Sequence, residues 1–303
     1  MWIALTYGSH GYYPIFPETL PRSTPTRKPY LTDLTDDPWH ILPPLLPPAK
    51  PGGRPRAVDM RAILTTLLSL NRTGCQWDRL PHDLRPKSTV YAYFAPWRDA
   101  GTWPQMLDAL RAEVRTQQAP AREPTPRAAR IASQSVQTTA QGGARGDDGG
   151  KKSTGRKRHL SVDVLGRLLV VFVSSAALDD AGAAPHVLHH VERAASPRLA
   201  VIWAESTYHN HGLHAWSATE SPGTWRWEGV RRPEGSKGGV LLPTRWGVAR
   251  TLAWLGRCRR NSKDDERRTD SSESMIRIRA MPLRLKRLQP SNVSRPFRYR
   301  EAA

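Results

Sequence analysis

The sequence predicts a mixed α/β layer fold preceded by a small all-helical domain, and three observations predict it. Apolar residues recur at helical spacing in short segments between residues 31 and 114, a proline-rich break follows at QQAPAREPTPR, and strand-like apolar runs alternate with helical ones beyond it. The first helix is expected in LTDLTDDPWHILPPLLPP, where Thr35 can cap, Pro38 falls in the first turn and Trp39, Leu42 and Leu45 form the apolar face. After the turn PGGRPR, Ile63, Leu64, Leu67, Leu68 and Leu70 mark a second helix over 58–70 that ends near Gly74. Ser88 or Thr89 can cap a third, carrying Val90, Tyr91, Phe94 and Trp97 and interrupted by Pro96; Gly101 stops it before a fourth near 103–114. Short helices joined by tight loops resemble a helix-turn-helix type module. Trp77, Tyr91, Phe94 and Trp97 read as its core, so a role on DNA rests on arginines such as Arg54, Arg56, Arg61 and Arg72.

The three prolines of 117–127 each remove a backbone donor and restrict the residue before, which sets a boundary there. The expected organisation is a poorly ordered extension at 1–30, a helical domain at 31–116, a linker at 117–128, a core at 129–289 and a basic tail at 290–303. In the core, RIASQSV, RKRHLSVDVLG and RLLVVFVSSA read as strands, the last two forming a hairpin through a tight turn at 165–167. A helix follows over 181–191, then RLAVIWAES as a buried strand of parallel type, TWRWEGVRR as a short strand, and a helix over 246–258. Three strands, helix, two strands, helix is close to ribonuclease-H-like order.

Lys and Arg number 46 against 27 Asp and Glu, a formal charge of +19 with a pI near 10.7, the electrostatic footprint of a chain that binds DNA or RNA. Within 231–303 there are nineteen basic and seven acidic residues, so the C-terminal quarter carries most of the excess. The run GGARGDDGGKKSTGRKRH packs Arg145, Lys151, Lys152, Arg156, Lys157 and Arg158 among glycines and reads as a flexible cationic arm suited to a phosphodiester backbone. Cys75 and Cys258 stand far apart with no CxxC partner, which excludes a disulfide framework and a cysteine-rich zinc site. No apolar run reaches membrane-spanning length and no leader is evident, so a cytoplasmic, nucleoid-associated protein is expected. His209, His211 and His214 in HNHGLH have zinc-like spacing but read better as surface histidines.

A resemblance then becomes specific. GGRPRAVDMRAIL, RTGCQWDRLPHDL, STVYAYFAPWRDAGTW, SQSVQTT, GGARG, DGGKKSTGRKRHLSVDVLG, VRRPEGSKGG and RTLAWLGRCRRNSKDDER occur in that order and resemble the DDE transposases of bacterial insertion sequences. The resemblance implies DNA strand cleavage and transfer at element ends, with two Mg²⁺ or Mn²⁺ ions held by three carboxylates. It places the first carboxylate just before SQSV, where this chain has Ala132; the second at the end of IWAES, where Glu205 stands for the usual Asp; and the third before the Arg-Thr pair of WGVARTLAWL, where this chain has Ala249. Glu205 is thus the one metal-binding side chain of the three. Asp163, Asp179 and Asp180 are weaker substitutes, since an Asp at a helix start is usually a cap. In the last helix expected of the family, Arg277, Arg279, Pro282 and Arg284 interrupt the apolar pattern and predict a loose tail.

Two functions follow from this reading. One is a DNA-recombining transposase disabled in this copy. The other is a binding-only remnant, or an inhibitor of an intact transposase, that grips DNA through Arg54, Arg56, Arg72, Arg145, Lys151, Lys152, Arg156, Lys157, Arg158, Arg250 and Arg257. DNA ends and target are the expected partners, and a homodimer is a further expectation.

Overall fold

A computed structural model describes residues 27–49, 51–52, 55–118, 123–139, 143–193, 196–205, 208, 225–230 and 246–289. Four helices form where the apolar spacing puts them: α1 (Asp36–Ile41), α2 (Met60–Thr73), α3 (Lys87–Asp99) and α4 (Thr102–Gln118). Asp59 caps α2 by accepting from the Arg61 amide at 2.9 Å, and Gly74, in the left-handed region at φ 69°, ends it with its own N–H on the Leu70 carbonyl. Pro96 does not interrupt α3. It stands in the last turn, and its carbonyl accepts from the Ala100 amide at 2.8 Å, so the helix closes normally beyond the missing donor. Phe94, Trp97 and Trp103 are buried, and the Trp97 and Trp103 rings meet edge to face at 5.3 Å, as expected of a small aromatic core. Tyr91 departs from that reading: it is exposed, with its ring 5.3 Å from Trp77 and 6.0 Å from Phe94 at the margin of the core.

Six strands form one sheet: β1 (Ala128–Gln137), β2 (Gly146–Asp148), β3 (Ser153–Asp163), β4 (Leu168–Ser175), β5 (Val201–Glu205) and β6 (Arg226–Val230). β1 pairs antiparallel with β3, and β3 with β4, while β1, β5 and β6 run parallel, giving the spatial order β4-β3-β1-β5-β6 of a ribonuclease-H-like sheet. Helix α5 (Asp180–Arg193) connects the antiparallel half to the parallel half and packs on β3 and β4. Helices α6 (Trp246–Gly256), α7 (Arg259–Ser262) and α8 (Thr269–Leu288) follow the last strand.

The pleat sorts the core. Ala129, Ile131 and Val170 face α5 and its Val187 and Leu188, while Ala132, Leu160 and Val162 face the opposite way in a cluster that runs from Leu34 to Leu288. Helix α8 joins the parts of that second cluster, touching α1, α2, α4 and β4, with the Asn71 amide donating to the Met275 carbonyl at 2.9 Å. The apolar core is therefore continuous across the proline-rich stretch expected to be a linker.

Two expectations change here. The tail is not loose as far as Leu288: α8 runs through Pro282 with Ile276, Ile278, Met281, Leu285 and Leu288 buried. Its arginines find carbonyls or carboxylates: Arg277 on Glu273 and Val171, Arg279 on Trp254, Arg284 on Leu168. Nor is the glycine-rich run a free arm, because its second half is the opening of β3, paired to β1, β2 and β4. Arg54, the histidines of HNHGLH and most of both terminal segments lie outside the described residues.

Candidate active site and nucleic-acid surface

The candidate site lies midway along β1 and at the carboxyl end of the adjacent parallel strand β5. β1 and β5 align Arg130 with Trp203 and Ile131 with Ala204, so continuing the register by one residue sets Ala132 beside Glu205. Below that pair on the same sheet face, the Arg130 guanidinium lies 5.2 Å from the Trp203 ring and donates to the Val164 carbonyl at 3.0 Å. Helix α6 packs on this face against β1 and β3. Its Gly247 approaches so closely that a Cβ there would come within 3.0 Å of Arg130. The Thr251 hydroxyl donates to the Gly166 carbonyl at 2.6 Å. The fold thus brings the first two positions together. The third, Ala249, sits on the exposed flank of α6, turned away from the buried Gly247, Val248 and Thr251.

A hard dication holds its place through several anionic oxygens on rigid elements. Ala132, 1% exposed and packed with Leu160 and Val162, presents a methyl group, and so does Ala249. Among the described residues no group of three or more His, Cys, Asp or Glu side chains is arranged to hold a metal. The residues at these positions do not fit a two-metal centre.

The substitutes considered from sequence have other partners. Asp163 is fully buried, accepts from Arg115 at 3.0 Å and from the Leu165 and Arg167 amides, and so braces the β3–β4 turn. Asp179 caps α5 through the Gly182 amide at 2.7 Å. Asp180 lies on the far face of the sheet, 3.7 Å from Lys157 Nζ and 3.9 Å from His159 Nδ1.

That far face carries a buried polar row that the sequence did not announce. Ser133 pairs with His159 and Ser135 with Lys157 across β1 and β3, and Asp148 accepts from Ser135 at 2.5 Å while facing Lys157 Nζ at 3.2 Å. Burial alone pushes the Asp148 carboxyl up, but the Ser135 hydroxyl, the Lys151 amide and Lys157 together outweigh it and hold it at about 2. Burial drives His159 the other way, down to about 4, against the pull of Asp180, so the imidazole is neutral near pH 7. It sits 3.0 Å from the Tyr208 hydroxyl and 3.2 Å from Ser174 Oγ.

The basic residues divide into inward and outward sets. Arg156 and Arg158 are 1% exposed. They reach across α7: Arg156 bonds Asp264 and the Glu266 and Arg267 carbonyls, and Arg158 bonds the Asn261 and Lys263 carbonyls. Lys157, one residue between them, turns to the opposite face and its two carboxylates. These three are internal braces and present no cation to a ligand outside. Strand alternation decides their direction, with partners about a hundred residues away for Arg156 and Arg158, and no local pattern signals it. The outward set comprises Arg145, Lys151, Lys152, Arg72 and Arg257, all exposed; Lys152 stands at the tip of the β2–β3 turn in the left-handed region at φ 47°. Arg56 is half-buried on the Pro47 and Pro48 carbonyls, and Arg72 donates to the Arg257 carbonyl at 2.9 Å, which joins α2 to the end of α6. Arg250 is half-buried and bonded to the Leu165 carbonyl. No helix among the described residues is long and apolar enough to cross a membrane.

Comparison with known proteins agrees with this architecture in both halves. A family model described as "Putative transposase of IS4/5 family" matches residues 34–107, and one described as "Transposase DDE domain" matches residues 116–281. The chain is similar to the "Insertion element IS402 uncharacterized 16.2 kDa protein" of Burkholderia cepacia, with 34% identity over 90 residues, which is 27% of this chain and 60% of that protein. No solved structure matches. Since the second model spans more than half of the sequence and its ends bracket the ribonuclease-H-like sheet, the chain belongs to the DDE transposases of insertion sequences.

Proposed function

We propose that this transposase binds DNA but has lost strand cleavage and transfer. The observation that carries the reading is the buried methyl of Ala132 in β1, one register step beyond the Ile131–Ala204 pair and so next to the Glu205 position that ends β5, with a second alanine at 249. A lone carboxylate does not retain Mg²⁺, which keeps its water shell unless several anionic groups replace it. Alanine offers no oxygen in any rotamer, and the extra methylene of Glu205 relative to Asp carries its oxygens farther from the strand. The outward basic residues need no metal. Arg145, Lys151, Lys152, Arg72 and Arg257 contact phosphates in this reading, and the buried Arg156, Lys157 and Arg158 hold the surface in shape.

The test is nicking of a supercoiled plasmid carrying the element ends, with Mn²⁺ present. No cleavage above background is expected, while gel shifts with the same ends show binding that weakens with salt. Robust cleavage that Glu205→Ala abolishes would overturn the loss of catalysis, and absence of binding at low salt would overturn the DNA reading.

A further inference from the structure

Where α4 packs along α8, the interior holds more positive charge than its carboxylates balance. Arg111 and Arg115 come from α4 and Arg284 from α8, and all three are buried. Two carboxylates face them. Asp163 accepts from Arg115 at 3.0 Å and also has Arg167 Nη1 at 3.8 Å, while Asp108 Oδ1 stands 2.8 Å from Arg111 Nη1. The adjoining Arg277–Glu273 pair is neutral. Arg284 is therefore left over: among the described residues no carboxylate comes within ion-pair distance of it. Its Nη2 donates to the Leu168 carbonyl at 2.6 Å and its Nη1 to the Ala280 carbonyl at 3.2 Å, which satisfies those groups and leaves the charge standing. The Nε–H groups of Arg284 and Arg111 are buried and meet no acceptor among the described residues. Arg111 is also the charged neighbour that weighs most on Arg284: burial first, and Arg111 next, push the Arg284 guanidinium down to about 9.

Water and an anion answer these features differently. A buried water accepts from an orphaned N–H group but carries no charge, and an interior cation without a counter-charge is costly even when its hydrogen bonds are made. An anion accepts and neutralises together. One monovalent anion matches the count, because one guanidinium is unbalanced once Asp108 and Asp163 are assigned. The enclosure limits its size. Arg111 and Arg284 are 2% and 3% exposed, which suits a monatomic halide better than a tetrahedral oxyanion. The Asp108 side chain keeps 27% of its surface, so the cluster approaches solvent on that side.

We propose that Arg111 and Arg284 bind one small inorganic anion of the halide class between α4 and α8, and that the bound ion ties the helical half of the chain to its closing helix. The inference stands apart from the DNA reading, since none of these side chains is open to a duplex. Thermal unfolding of the full chain in sodium chloride is compared with sodium gluconate at matched ionic strength, gluconate being too large to enter. The wild-type Tm should rise with chloride and saturate, by about 3–6 °C at a tenfold excess over the dissociation constant. Arg284→Met replaces the cation by an apolar chain, so it should melt above the wild type in gluconate and gain nothing specific from chloride. Chloride-35 line broadening by the wild type, reversed by added bromide, reads the same binding even if the variant does not fold. Superimposable melts in the two salts with no broadening would overturn the site. An Arg284→Met variant that keeps the full chloride increment would place the ion on the basic surface and overturn it equally.

Discussion

His159 is an imidazole with no water around it, flanked by Asp180, Lys157, Lys151 and His186. Burial lowers its pKa from the ordinary 6.5 to about 4, and the sign of the consequence follows from proton counts. Between those two values the unfolded chain carries more protons on this residue than the folded one, so stability rises with pH across the window and is lost on acidification. From that shift alone, lowering the pH from 7 costs about 2 kcal/mol by pH 5 and about 3 kcal/mol by pH 4. Asp148, held at about 2 against an ordinary 3.8, adds a further loss only below that range. Urea unfolding at pH 7 and pH 5 checks the prediction, and His159→Gln, which can still bond Tyr208 and Ser174, should flatten the difference. An equal pH dependence in variant and wild type would show that other groups carry it. The same residue-scale view separates Arg156 from Lys152: both are basic residues of one short run, and one is sealed against Asp264 while the other stands in water.

At the scale of elements, α8 contains a defect the fold tolerates. Pro282 has no amide to give the Ile278 carbonyl, and its ring crowds the preceding turn, yet the helix continues to Leu288 because Met281, Leu285 and Leu288 are buried on one side and Arg284 anchors to the Leu168 carbonyl at 2.6 Å. Tertiary packing outweighs the local cost. Pro282→Ala should therefore stabilise the protein by about 1–3 kcal/mol, a rise in Tm of about 2–4 °C per kcal/mol for a chain of this size, measured by calorimetry. A fall in Tm would mean that the proline ring fills space no methyl can. Local apolar period is what made most elements legible: α2, α4, β4 and β5 fall where Ile63 to Leu70, the 103–114 segment, LLVVFV and VIWAE predict them. Charge hides the period where it is not met by local partners. β3 begins at Ser153, inside a Gly, Lys and Arg run whose counter-charges are Asp148, Asp180 and Asp264, and the last two lie too far along the chain for any window to pair them. The candidate site positions have a different source: Ala132, Glu205 and Ala249 come from motif order, and the β1–β5 register, paired as far as Ile131 and Ala204, sets the first two at neighbouring positions when it is continued by one residue.

For the whole molecule, the formal charge of +19 overstates what a DNA duplex would meet, because part of it is internal. Arg111, Arg115, Arg156, Arg158, Arg167 and Arg284 are nearly inaccessible, and Asp163 and Asp264 each serve more than one of them. Burial without a close carboxylate pushes Arg284 down to about 9, a mark of how costly these interior cations are. The two populations should separate in experiment. Every lysine that neutralises a phosphate releases counterions and adds about one unit to the slope of log affinity against log salt. Replacing the exposed Lys151 and Lys152 together by alanine should therefore reduce that slope by about two and leave Tm nearly unchanged, because neither side chain is buried. Arg158→Met should do the reverse. It abandons the Asn261 and Lys263 carbonyls and unbalances Asp264, so unfolding comes several degrees earlier while the slope of the surviving folded protein stays the same. Anisotropy titrations of a duplex at several salt concentrations, paired with thermal melts of each variant, read both quantities. A slope that falls for Arg158→Met and holds for the lysine pair would place the phosphate-binding face on the other side of β3.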